Sequence, residues 1–177
     1  TGGTAGNPPH ARTHDREASP RDHDDRLREE GVARIYNVYL PQEHFAEFEG
    51  HLREEVFPAL TADPDAETDA ESGTDGDGAV SIADLTRELG RANAAVNERD
   101  AVAEGPGIAA AAYECGVPIY CPAVQDSVLG LQAWMYAQTA DLRLDALADM
   151  TGLTDRAFDA DDAGCLLVGG GVPKNFT

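Results

Sequence analysis

Two short stretches hold groups whose types and spacing could do chemistry. The first is the run LLVGGGVPKNF, residues 166–176, in which apolar side chains enter three glycines and then reach Lys174, the single lysine of the chain. Glycines at the carboxyl end of a buried strand let the backbone approach a ligand, and the N–H groups that follow can face an anion. The spacing is not GxGxxG, so the standard dinucleotide fingerprint is absent. A tight strand-to-helix turn would use the same residues. Lys174 would have to be neutral to act as a nucleophile, which takes desolvation or a neighbouring cation. No second cation stands beside it in the sequence, so a structural or anion-contacting lysine is the better reading.

The second stretch is Gln125-Asp126-Ser127, at the end of another apolar run. A carboxylate there can accept from a ribose hydroxyl or face a cationic substrate. Asp126 or Ser127 would equally serve as a helix N-cap, and the two roles are compatible. A weaker candidate is HFAEFEGH, where His44 and His51 share one helical face with Glu47 nearby. No third ligand is fixed beside them and HExxH is absent, so a polar helix face is preferred and no metal site is assigned. His10, His14 and His23 sit in a polar tail whose composition reads as solvated chain.

The elements that must position these groups follow from periodicity. Residues 1–25 lack an apolar pattern and cannot bury enough surface to order themselves. Ile35 to Leu40 is a β-rich run, and Pro41 then suits the first turn of a helix carrying Phe45, Phe48, Leu52 and Val56 on one stripe. Residues 61–78 form an acidic, turn-rich surface loop. Ser81 is placed to cap a helix with Ile82, Leu85 and Leu89 on one face, and an alanine-rich helix follows, slim enough to pack on a sheet and stopped at Gly116. Val117 to Val124 reads as a buried strand weakened by Pro118 and Pro122. Val128 to Gln138 is a helix, Leu144 to Phe158 a further helical region, and Cys165 to Gly171 a buried strand entering glycine. Strand, helix, strand, helix with apolar strands predicts an α/β fold with a parallel sheet.

Composition bounds the partners. The chain has 177 residues, enough for one domain with a real core, and carries 33 acidic against 13 basic residues for a formal charge of −20. That charge repels nucleic acid. It fits a protein that handles polycations or, better, one whose whole surface is adapted to high salt, because the acids are spread along the chain and lysine is nearly gone. Cys115, Cys121 and Cys165, each in or beside an apolar run, are an odd count without a CxxC pair and read as buried free thiols in a reducing compartment. No apolar stretch approaches a membrane span or a signal-peptide core, so a cytoplasmic location is expected. The chain begins with Thr1 instead of Met, as a processed chain or a fragment would.

Several separate blocks then add up to a family. LREEGVARIYNVYLPQEHFAEFEGHLREEVFPAL, LTRELGRANAAVNERD, GVPIYCPAVQDSVLGLQAWM and LLVGGGVPKNF, in that order, resemble deoxyhypusine synthase in its archaeal, salt-loving form. The resemblance covers residues 26–177 apart from the acidic loop. It implies a Rossmann-like NAD-binding fold in a homotetramer, acting in hypusine biosynthesis. NAD takes a hydride from spermidine, an enzyme lysine captures the resulting imine with loss of diaminopropane, and the aminobutyl group passes to one lysine of the translation initiation factor 5A precursor and is reduced. The resemblance implies that Asp126 contacts NAD and that Gly170 lies at the cofactor between Gly169 and Gly171. It places Asn175 where eukaryotic members have a substrate-facing histidine, and Leu131 where they have a spermidine-binding aspartate. Those two departures leave agmatine open as an alternative amine donor. The family's nucleophilic lysine belongs to a Trp-Gly-Lys block beyond the glycine strand, so no catalytic residue is assigned here. The chain is expected to be a central piece, truncated at both ends and inactive alone. A homospermidine synthase-like enzyme and a non-catalytic subunit or remnant are the rival readings.

Overall fold

Gly31, with φ of +70°, turns the chain sharply after a first helix and lets it enter a hairpin. In a computed structural model, residues 20–35, 38–61, 78–101 and 105–172 are described. They fall in two units, Thr1–His51 and Leu52–Thr177. In the first unit, α1 (Pro20–Glu29) has proline at its first position, where the missing N–H costs nothing. This helix reaches back into the stretch whose composition argues against order. Strands β1 (Val32–Ile35) and β2 (Val38–Pro41) pair antiparallel, with Val32 opposite Pro41 and Ile35 opposite Val38. The Gln42 N–H donates to the Gly31 carbonyl at 2.9 Å and closes the open end of the hairpin. Arg34 holds both carboxylate oxygens of Asp24, at 2.6 and 2.8 Å. Helix α2 (Glu43–His51) follows. The single β-run expected over Ile35 to Leu40 is therefore corrected to two short strands. Pro41 ends the second strand instead of opening the helix, a place where its absent N–H removes no interior ladder bond.

The second unit begins with a π-helical turn, Leu52–Val56, running into α3 (Phe57–Thr61). Leu52, Val56 and Phe57 are fully buried, and the Phe57 ring lies against Tyr136 with centroids 4.9 Å apart. That spacing is within the range of favourable aromatic pairs. Of the expected stripe, Leu52 and Val56 are buried while Phe45 and Phe48 on α2 are half-buried, and Phe57, after the π-helical turn, joins the buried set. A two-residue strand β3 (Val80–Ser81) leads into the longest helix, α4 (Ile82–Asp100). Ser81 is its N-cap, as its sequence position predicts, with Oγ accepting from the Asp84 N–H at 3.0 Å. Ile82 and Leu85 are fully buried on the face anticipated from their spacing.

Helix α5 (Gly107–Glu114) is the alanine-rich one, and it packs on α4 instead of on a sheet. A Cβ at Gly90 of α4 would stand 2.4 Å from the Ala109 carbonyl oxygen, so the missing side chain permits this contact. Gly116, with φ of +65°, ends the turn after α5 as predicted. A 3₁₀ turn (Val124–Asp126), α6 (Val128–Tyr136), strand β4 (Leu144–Asp145) and α7 (Ala148–Asp159) complete the order, so the helical region expected over Leu144 to Phe158 is corrected: its first two residues pair with β3 and the helix starts at Ala148. Strands β3 and β4 pair in parallel, Val80 with Leu144 and Ser81 with Asp145.

The fold class is α/β, mostly helical, with one antiparallel and one parallel pair of strands among the described residues. Two expected buried strands are corrected. Val117 to Val124 forms no ladder, and its last residue belongs to the 3₁₀ turn. Pro118 and Pro122 supply no N–H to a neighbour. The run before the glycines is likewise no strand, and Leu166 and Val168 are 89% and 88% exposed. A strand exists only through pairing, and among the described residues neither run has a neighbour to pair with.

Candidate functional site

The Asp126 turn is built locally. Ser127 caps α6: its Oγ accepts from the Gly130 N–H at 3.0 Å and donates to the Val124 carbonyl. Gly130 is buried against this turn so tightly that a Cβ would lie 2.1 Å from the Val124 oxygen and 2.9 Å from the Gln125 Cα. Val124 is buried and anchors the turn from below. Asp126 itself points to solvent, with its N–H donating to the Ala123 carbonyl at 3.0 Å. Ser127 therefore takes the cap role that either residue could have filled. Asp126 is left as an exposed carboxylate just before the positive end of α6.

The glycine run is an open backbone. Gly169 and Gly171 have φ of +85° and +89°, and among the described residues no atom beyond the adjoining ones lies within 4 Å of where a Cβ would stand on Gly169, Gly170 or Gly171. Backbone in that state can be approached by a flat or anionic group, which a side chain would block. Asp126 does not reach these positions within the same 4 Å. Lys174 and Asn175 lie outside the described residues, as do His10 and His14. Leu131 stands on α6, half exposed at 51%. His44 and His51 occupy the two ends of α2, and among the described residues no three His, Cys, Asp or Glu side chains gather as metal ligands would. Cys115, Cys121 and Cys165 are free thiols, but the expected burial is corrected: Cys115 and Cys165 are exposed and Cys121 is half-buried, because the apolar runs around them form no buried strand.

Among the clefts formed by the described residues of the second unit are two that neither Asp126 nor the three glycines line. One, of about 310 Å³, is apolar and lies beside the Asp126 turn, between Ile82, Val124, Gly130, Ala133, Trp134 and Leu144. The other, of about 670 Å³, lies where α4 faces α5 and carries Arg91, Asn97, Glu98, Tyr113 and Glu114. No described helix is long and apolar enough to cross a membrane.

The start of α4 gathers groups that periodicity did not single out. Asp149 of α7 is 4% exposed, and its Oδ1 accepts the Ala83 N–H at 3.0 Å. Burial pushes this carboxyl above its ordinary range; the Ala83 and Ile82 N–H groups pull it back, and Asp84 and Asp145 add to the rise. The Thr86 hydroxyl lies 2.8 Å from the Ile119 carbonyl. Gly90 and Gly130 carried only the faint signal of a glycine inside a helical pattern, which costs about 1 kcal/mol relative to alanine. Thr86 and Asp149 carried none.

A family model for deoxyhypusine synthase matches residues 10–177. The chain is 39% identical over 153 residues to a protein named probable deoxyhypusine synthase 1 from Methanosarcina mazei, covering 86% of this chain and 40% of that protein. It is 34% identical over 154 residues to a probable deoxyhypusine synthase of Methanothermobacter thermautotrophicus, covering 87% of this chain and 43% of the relative. A similarly named protein of Methanopyrus kandleri is 33% identical over 147 residues. The chain thus spans about two fifths of the length of the curated relatives it matches.

Proposed function

The chain belongs to the deoxyhypusine synthase family, and on that premise we propose that it forms part of an NAD-dependent aminobutyltransferase. The reaction moves the aminobutyl group of spermidine, with loss of diaminopropane, or of agmatine, with loss of guanidine, to one lysine of the translation initiation factor 5A precursor. The observation that carries this reading is the family match running from residue 10 to residue 177, through both candidate stretches.

The residues present suit the cofactor. NAD, when bound, would accept a hydride from the amine and return it to the transferred group. Asp126 offers an exposed carboxylate to a ribose hydroxyl, on a turn fixed by Ser127 and Gly130. Gly169, Gly170 and Gly171 present backbone that no described side chain obstructs. Asn175 would face the amine as a neutral hydrogen-bonding group. At low ionic strength the formal charge of −20 would draw a polycationic donor toward the surface. Lys174 is the single lysine here, and we place the nucleophilic lysine outside this chain. We further place the working enzyme in the cytoplasm, as a homotetramer with a Rossmann-like cofactor domain.

The test gives the full-length protein the factor precursor, NAD and either spermidine or agmatine labelled in its four-carbon part. Label on the precursor is the expected result, and the substrate that delivers it identifies the donor. Label that appears only in a small amine would replace this reading with a homospermidine synthase-like activity. No transfer in any combination would leave the non-catalytic subunit.

A further inference from the structure

The segment from Val117 to Ala123 feeds the turn that carries Asp126, yet it belongs to no strand ladder among the described residues. Its first residue donates from N–H to the Ala112 carbonyl at 2.8 Å, and Pro118 and Pro122 have no N–H to give. Two side chains hold its middle. Tyr120 reaches α7, where a Cβ on Gly152 would lie 3.3 Å from the phenolic oxygen. Thr86, buried within α4, sets its hydroxyl 2.8 Å from the Ile119 carbonyl and 2.9 Å from the Ala83 carbonyl. A hydroxyl has one proton to donate. The Ala83 carbonyl is already served by the helix it belongs to, whereas Ile119 lies outside any helix or strand. The proton therefore goes to Ile119.

We propose that Thr86 is a positioning residue for the cofactor contact at Asp126. Its hydroxyl pins the Ile119 carbonyl to the long helix, and the pinned segment delivers Val124, and with it Asp126, to a fixed place. The inference rests on the reading that Asp126 contacts NAD. Thr86 touches neither cofactor nor substrate in this scheme, so its loss should weaken cofactor binding and leave the chemistry of the bound complex alone.

The experiment uses the full-length protein as wild type, Thr86→Val, Thr86→Ser and Asp126→Asn. Amide hydrogen exchange is followed over residues 117–126 without cofactor, and NAD affinity is measured by calorimetry. A net hydrogen bond of ordinary strength corresponds to about a fivefold to tenfold effect. Thr86→Val should speed exchange in the segment and weaken NAD binding by about that factor, with kcat at saturating NAD within about twofold of wild type. Thr86→Ser, which keeps the hydroxyl, should restore both. Unchanged exchange in Thr86→Val overturns the proposal. So does faster exchange with unchanged NAD affinity when Asp126→Asn does weaken binding. If Asp126→Asn also leaves affinity unchanged, the Asp126 reading fails, and the proposed role of Thr86 falls with it although the tether stands. Should Thr86→Val not fold, Thr86→Ala is put through the same two measurements.

Discussion

The Asp149 carboxyl accepts the Ala83 N–H at the start of α4 while burial holds its proton more tightly than usual. The folded state then binds a proton at pH values where the unfolded chain has released it. Stability contributed at this site is present below the ordinary carboxylate value of 3.8 and falls as pH rises from there through the raised folded value. Asp149→Asn keeps an oxygen for Ala83 and removes the titration. Chemical denaturation across the acidic range should show the wild type losing stability relative to the variant as pH increases through that window; a constant difference would contradict the raised carboxyl. At Gly130 the argument is steric. Alanine would place its Cβ 2.1 Å from the Val124 oxygen, a backbone atom that cannot step aside cheaply. Gly130→Ala should cost about 1–3 kcal/mol or more in a denaturant melt. It should also displace the turn that presents Asp126. Neither environment can be deduced from the residue letter, since both depend on what a distant or folded-back segment brings near.

At the scale of elements, the central helices were legible, whereas of the expected strands only the β-rich run before Pro41 was, and that as two short strands. Ser81 with Ile82 and Leu85, the alanine run ending at Gly116, and Ser127 before Val128 all form the helices their spacing predicts. A helix satisfies its backbone within itself, so a local pattern is enough to specify it. The apolar runs at Val117 and Leu166 carried equally strong composition but form no strand here, because a strand needs a partner that its own residues do not supply. This difference is measurable. Leu166, 89% exposed, should tolerate Leu166→Ser in this chain within about 0.5 kcal/mol, as surface changes do. A cost of about 2 kcal/mol or more, typical of a truncated core side chain, would mean that the run is buried after all.

For the molecule as a whole, charge is the dominant quantity. With 33 acidic and 13 basic residues, like charges repel across any compact state, and added salt screens them. The Debye length falls from about 10 Å at 0.1 M to about 3 Å at 1 M salt. Thermal melts in KCl should therefore show a midpoint that rises by several degrees over that range, and a flat or falling midpoint would remove the salt-adaptation reading. By itself the sequence determined α4, α5 and α6, the Ser81 cap, the charge and, through four ordered blocks, the family that the match over residues 10–177 supports. These are properties of local spacing and residue type, which the chain carries wherever it goes. Only the tertiary structure decided that α5 packs on α4 through Gly90, that Phe57 meets Tyr136, and that Thr86 and Asp149 tie remote segments to one helix. Those outcomes depend on which distant residues come within a few ångströms of each other, and no periodicity along the chain encodes that.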